Sequence, residues 1–322
     1  MAAVHRGFGA TLGIGAEVTW GTAVARTNWI RLISESLKRA IAKEKVPHLG
    51  SFGQVSTNYQ HRFTREDFAG GQIVFPFAYD DSSVMLARNA LGANVDSGAG
   101  PYSHLLTLAS PNPYPMTLEV IRGTASSGSG HPAEVFEGCL ISDFELSMEN
   151  GGLLTCSADV IAETSGGPVA AGSPSYSSGG EWVKHNHLSS LTFNSTQRKL
   201  KSFKINVKRN LDRNHELGSL LTSIPVENRL EIGFEIQMLW QSVDWMTEFL
   251  ADTSSDLLIA LAGTGDNAMD ITLHNANIDD VSNPVSSAGG VMRTITGTAY
   301  ADATDQGLSI EISNGSALAT AN

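Results

Sequence analysis

The sequence predicts a mainly β protein in which one β unit is used twice, each unit holding six or seven strands and one short flanking α-helix. Three observations carry this. Glycine supplies 32 of 322 residues and Ser and Thr are abundant, while long runs of helical periodicity are scarce. The clearest apolar pattern alternates: in KSFKINVK (201–208), Phe203, Ile205 and Val207 point one way and Lys204, Asn206 and Lys208 the other. Finally, a strand–turn–helix phrase recurs at a constant offset of 159 residues, taking Ile73 to Ile232, Ser83 to Ser242, Val84 to Val243 and Leu91 to Leu250.

The first unit spans residues 1–163. It opens on GIGAEVTWGTAVARTNWI (13–30), which has neither helical periodicity nor the apolar stretch of a targeting signal. Gly13, Gly15 and Gly21 make this segment pliable, and Trp20 and Trp29 offer large anchors, so it reads as an arm used in assembly. The rival reading is a segment held in its own sheet. SESLK (34–38) is strand-like. QIVFPF (72–77) places Ile73, Phe75 and Phe77 on one side, and Pro76, lacking a donor, points to an edge or a bulge. A helix follows over 82–91, with Val84, Ala87 and Leu91 on one face, Ser82 or Ser83 as cap and Gly92 as terminator. Residues 94–131 read as an inserted loop that carries two strand candidates, 102–108 and 116–121. Residues 140–163 read as a hairpin around Asn150-Gly151.

A Gly/Ser/Pro/Ala-rich stretch, 164–180, reads as a linker. The second unit, 181–322, repeats the order. It has the alternating strand 201–208, the strand EIGFEI (231–236) and a helix over 242–251 with Ser242 as cap and Val243, Met246 and Leu250 as its apolar face. A hairpin over 271–302 closes it through a loop at 286–290. Upstream, LGSF (49–52) answers LGSL (217–220), now 168 residues apart.

Composition narrows the function. Apolar residues make up 41% of the chain, enough for a sizeable core, and the net charge is −12. A chain this acidic is a poor candidate for gripping nucleic acid. After Arg213 the chain holds 15 acids and 2 bases, whereas 191–213 holds seven bases and one acid. Cys139 and Cys156 fall in strand-like runs and read as buried free thiols, which fits a reducing compartment. No run approaches 18 apolar residues, so no membrane span is expected.

Catalytic patterns are thin. His185 and His187 form an HxH pair that reads as a solvated loop, with a two-ligand metal site as the alternative. Asp279-Asp280 reads as a solvated face, with calcium as the alternative. GIGAEVTWG has no Lys-Ser/Thr to complete a phosphate loop, and Ser36, Ser83 and Ser147 lack a nucleophile elbow. No enzyme, cofactor or metal is therefore expected, and a structural or binding role is.

Sheets leave open edges, and a chain with two similar units can close a ring of three by continuing its sheet from copy to copy. The basic face of 201–208 then suggests that Lys204 and Lys208 meet acids on a neighbouring subunit or the outer wall; a plainly solvated basic face is the alternative.

Three phrases in order also resemble a known family: GIGAEVTWGTAVARTNWIRLISESLK (13–38), FEGCLISDFELSMENGGLLTCSADVIAE (136–163) and KSFKINVKRNLDRNHELGS (201–219) are similar to the major tail tube proteins of phages with long non-contractile tails. The resemblance implies a β-sandwich or partial-barrel unit with a flanking helix. It implies rings, trimeric when each chain carries two units, stacked into a tube that conducts duplex DNA into the host without binding it specifically. The implied partners are further copies of the chain and the tail-tip or initiator, tape-measure and terminator proteins. The implied location is the virion tail, assembled in the host cytoplasm. The competing classes are a tail-tip or capsid-associated β-rich adhesin and a carbohydrate-active enzyme on a sandwich scaffold. The latter needs a carboxylate pair at suitable separation.

Overall fold

A computed structural model of the chain describes residues 10–46, 61–109, 113–122, 132–176, 180–240, 243–285, 290–302 and 306–315. The fold is mainly β. The first strands are β1 (Thr11–Ala16), β2 (Asn28–Arg31), β3 (Ser34–Glu35), β4 (Lys38–Val46) and β5 (His61–Pro76). Helix α1 (Asp81–Leu91) follows, then β6 (Gly92–Ser97), β7 (Tyr102–Leu108), β8 (Met116–Ile121), β9 (Pro132–Glu149), β10 (Thr155–Ala162) and β11 (Thr164–Ala170). The second half holds β12 (Leu188–Phe193), β13 (Thr196–Arg198), β14 (Ser202–Lys208), β15 (Leu211–Asn214), β16 (Ser223–Glu227) and β17 (Glu231–Leu239). Helix α2 (Asp244–Leu250) precedes β18 (Ser255–Ala262), β19 (Ala268–Ser282), β20 (Met292–Ala299) and β21 (Leu308–Asn314).

One antiparallel series organises these strands. β3 and β4 lie beside β5, β5 beside β10, and β10 beside the C-terminal half of β9. β9 then pairs with β14, and the series runs on through β17 and β20 to the C-terminal half of β19. Side chains in register form rows across it. Phe75, Cys156, Leu146, Ile205, Phe234, Gly297 and Ile278 make one row, and its non-glycine members are buried. The next row toward the other face, Val74, Ser157, Glu145, Asn206, Gly233, Thr298 and Asn277, is mostly polar. This period-two alternation places one face on the core and leaves the other open.

The second layer covers the apolar face. Strands β2, β1 and β8 pair in sequence onto the N-terminal half of β9. The N-terminal half of β19 pairs with β18 and β21, β18 continues into β12 and β13, and β21 into β7 and β6. Long strands β9 and β19 therefore serve both layers. Each changes partners beside a residue with left-handed φ, Gly138 at 62° and Asn275 at 49°. These are residue types that adopt that region at low cost.

Helix α1 is wedged into the core, with residues 82–91 all buried. Its cap is Asp80, two residues before Ser82 and three before Ser83: Ser83 N donates to Asp80 Oδ1 at 2.9 Å. Ser83 Oγ is taken up by Ala78 N at 3.2 Å. Gly92, with φ 96°, ends the helix as expected. Arg209, itself 3% exposed, donates to Ala90 O and Leu91 O at 3.0 and 2.9 Å, so a cation from the second half of the chain satisfies the helix C-terminus.

Helix α2 departs from its expected face. Val243 and Leu250 are exposed, and Trp245 is the buried residue, stacked on Phe193 at 5.1 Å with Arg198 over its ring. The helix is short and lies on the surface, so one large aromatic anchors it where a three-residue stripe was expected. Its expected cap Ser242 and the phrase at 49–52 lie outside the described residues.

Two further expectations change. The stretch 94–131 is no decorating loop: β8 lies between β1 and β9, and β7 pairs with β21. Both strands match the candidates read from the sequence. The stretch 164–180 begins with β11, paired to β9, and Tyr176 packs against the cluster of Trp29, Ile121 and Ala133. Its backbone donors find partners on the first half of the chain, so this part of the segment is not a free linker.

Candidate functional site

The N-terminal segment is built into its own fold. Leu12 and Ile14 of β1 are fully buried, and Trp29 is 4% exposed. A Cβ on Gly13 would stand 2.9 Å from Trp29 Cη2, and one on Gly172 would stand 3.0 Å from the same atom. A Cβ on Gly138 would meet Trp20 Cε2 at 2.9 Å. Of the glycines that suggest a pliable arm, Gly13 seats the Trp29 indole while Gly15 and Gly21 lie against Ala25 O and Glu163; Gly172 and Gly138, outside the segment, complete the seats of the two indoles. In the single chain Trp20 and Trp29 therefore contact their own fold, the alternative weighed for this segment. Buried Glu17 joins the same region, accepting from Thr117 Oγ1 at 2.7 Å, Gly138 N at 3.0 Å and Gly21 N at 3.1 Å. Burial chiefly holds its carboxyl above the usual range.

The open face of the strand series is the most distinctive surface. It curves into a trough of about 520 Å³ lined by Asp143, Glu145, Asp159, Lys204, Lys208 and Glu235, among others. Glu231, opposite Lys208, and Asp280, opposite Thr296, extend the acidic character along it. Lys204 and Lys208 stand where β14 meets β9. Lys204 Nζ lies 2.7 Å from Glu145 Oε2, and Lys208 is in register with Asp143. Both partners belong to the same chain, and on the other side Glu235 and Glu231 of β17 stand opposite Lys204 and Lys208, so these lysines face acids of their own fold. Burial, then repulsion from Asp159, raises the Asp143 carboxyl, and Lys208 opposes them.

Elsewhere, His187 turns inward, with Nδ1 3.4 Å from Tyr79 Oη and Nε2 3.3 Å from Glu181, while His185 is exposed. Asp279 and Asp280 are both exposed. Cys139 and Cys156 are buried free thiols, their pKa values pushed up by burial. Among the described residues no group of three or more His, Cys, Asp or Glu side chains is placed to hold a metal ion. Among them, too, no helix is long and apolar enough to cross a membrane.

Sequence reasoning missed the buried cations. Arg209 reads as one base in a basic run, yet it also reaches Ala109 O at 2.5 Å and Glu227 Oε1 at 2.6 Å. Its local signal, an Arg directly after an alternating strand, is too common to single out.

A mainly β chain whose long sheet, among the described residues, leaves one face open has the form of an assembly protein. The family model for phage tail tube proteins matches residues 7–299, and the chain belongs to that family. It is a structural component of the phage tail. No curated protein matches the sequence.

Proposed function

We propose that the chain is a duplicated tube subunit of a long non-contractile tail, that three copies close a pseudo-sixfold ring, and that stacked rings form the conduit for DNA ejection. The observation that carries this is the strand series. The order β3/β4–β5–β10–β9 is followed by β14–β17–β20–β19, with α1 after β5 and α2 after β17 and with β9–β10 and β19–β20 as matching hairpins. The division into units at 1–163 and 181–322 follows the same matching. Each unit adds four strands to one continuous sheet, and the second continues where the first ends. A chain that already extends its own sheet once has the geometry to extend it again across copies.

The open acidic face then lines the bore. Like charge on the wall keeps phosphate from binding, so duplex DNA slides past. Tail-tip or initiator, tape-measure and terminator proteins are the partners this role requires, in a tail assembled in the host cytoplasm. Electron microscopy of the concentrated protein, with mass analysis of any ring, tests the reading. Hollow tubes of three-chain rings support it. Six-chain rings overturn the duplication, and a discrete oligomer that binds glycans favours the adhesin.

A further inference from the structure

A basic cleft lies where β13, β17, α2 and β20 meet. It encloses about 240 Å³ and is lined by Arg198, Lys199, Leu239, Asp244, Trp245 and Arg293, among others. Three cations thus face one acid, in a chain whose net charge is −12. Arg293 is one of only two bases after Arg213, yet it is 2% exposed. Its Nε donates to Asn283 Oδ1 at 2.7 Å, and its guanidinium lies 5.4 Å from the centre of the Trp240 ring. Burial pushes the Arg293 pKa down, and Asp244 opposes this. Arg198, whose side chain is 8% exposed, gives one terminal nitrogen to Asp244 Oδ2 at 2.6 Å and holds the other 3.9 Å from Glu248 Oε1. Its buried Nε has no acceptor among the described residues, and neither has Nε1 of Trp245, a residue 1% exposed.

Buried N–H groups are rarely left without an acceptor, because each then loses its hydration and gains nothing in return. Here two such donors belong to one cleft. Arg, Lys and Trp side chains donate and do not accept, so a group that they share must bring acceptor oxygens. The excess of cations calls for negative charge as well. We propose that this cleft binds a phosphate group, with Arg198 Nε, Trp245 Nε1, Arg293 and Lys199 as its donors. Three cations less one acid leave a charge of +2 on the lining. A phosphate monoester carries about −1.5 to −2 near pH 7 and presents three strong acceptor oxygens. A carboxylate brings two oxygens and one charge, and leaves half of the cleft's charge unmet. The volume falls below the roughly 300–1,000 Å³ typical of clefts for drug-sized ligands, so the site suits a small phosphate compound or the free ion. It is formed within a single chain and stands apart from the tube reading.

Equilibrium dialysis of the full chain against radiolabelled inorganic phosphate, at pH 7 and constant ionic strength, tests the site. Saturable binding of one phosphate per chain is expected, whether the chains are single or assembled. Trp245→Phe keeps a ring against Phe193 and removes the indole donor, and Lys199→Gln removes a charge from an exposed side chain. Each is expected to weaken binding roughly tenfold. Lys43→Gln, an equal loss of charge from an exposed position on β4, is expected to leave binding unchanged. The absence of saturable binding, binding that a folded cleft variant leaves at full strength, or equal weakening by Lys43→Gln overturns the proposal. If circular dichroism shows Trp245→Phe misfolded, Lys199→Gln decides alone. Competition separates the sources of the phosphate. Stronger displacement by glycerol phosphate than by unlabelled phosphate assigns an organic phosphate compound, and equal or weaker displacement assigns the free ion; both support the site. Acetate that displaces the label as well as phosphate does overturns the phosphate class in favour of small carboxylates.

Discussion

Lys204 and Glu145 face one another at 2.7 Å across the line where β14 lies against β9, joining two parts of the chain almost 60 residues apart in sequence. Both side chains are partly exposed, 47% and 33%. Such a pair is worth ~1 kcal/mol or less. Lys204→Met is therefore expected to leave the melting temperature nearly unchanged. Reversal at both lysines, Lys204→Glu with Lys208→Glu, sets two new negative charges among Asp143, Glu145, Glu231 and Glu235. It is expected to lower the melting temperature by several degrees, with partial recovery in high salt, where screening shortens the reach of the repulsion. Thermal unfolding at low and high salt reads both effects.

Gly297 is the tightest point of the long sheet. A Cβ there would stand 2.2 Å from Asn277 O and 2.3 Å from Phe234 Cζ. The phenyl ring can turn away, but the carbonyl belongs to a paired strand and cannot. Gly297→Ala is expected to cost about 1–3 kcal/mol in chemical denaturation. Adding Phe234→Leu is expected to recover only part of it; full recovery would show that the ring alone sets the limit.

Arg209 holds the end of α1, the carbonyl of Ala109 and the carboxylate of Glu227 together. Removing one member of a buried ion pair typically costs about 3–5 kcal/mol. Arg209→Met is expected to fall in that range, and Arg209→Lys to recover little, because an ammonium cannot reproduce the planar fork. Equilibrium denaturation of the two variants separates charge from geometry.

Deleting residues 1–27 tests whether the opening segment serves its own fold. The deletion removes Leu12 and Ile14 from the core and strips β2 and β8 of the strand between them. Loss of cooperative unfolding is expected. Leu12→Ala alone is expected to cost about 2–5 kcal/mol. A well-folded truncated chain that merely failed to polymerise would restore the arm reading.

Glu17 and Glu163 both hold carboxyl groups above the ordinary value of 4.5, chiefly through burial and further through repulsion within the group they form with Glu137. The native chain then binds protons that the unfolded chain has released. Stability from these groups is present below 4.5 and is lost as pH rises through the raised native values. Glu163→Gln is expected to be more stable than the native chain at pH 7, with the difference shrinking toward pH 4. Melting temperatures across that range give the sign.

Much of the β framework was legible in the sequence because it rests on local alternation. The strands 102–108 and 116–121, the apolar sides of 72–77 and 231–236, and the inward face of 201–208 follow from period two alone. The helix over 82–91 was legible too, because Gly92 and the 3.6-residue pattern agree. What failed depended on distant partners. The caps went to Asp80 and not to the serines because Ser83 Oγ is needed by Ala78 N. Trp245 replaced Val243 and Leu250 as the buried residue because Phe193, 52 positions earlier, offers it a ring. The glycines of the opening segment looked like freedom because what they accommodate, the Trp29 ring at Gly13, the Ala25 carbonyl at Gly15 and the Glu163 carboxylate at Gly21, is invisible in one dimension.

The pairing of β21 with β7 has a consequence for how the molecule is made. Residues 308–314 are synthesised some two hundred positions after the strand they complete, at 102–108. A nascent chain carries an uncovered β7 until the ribosome has passed the last described strand, and contacts so remote in sequence form slowly. Newly made chains are thus exposed to aggregation, and to mispairing with one another, for most of their time on the ribosome. A chain ending at residue 307 is expected to accumulate in inclusion bodies, whereas the full chain reaches the soluble fraction.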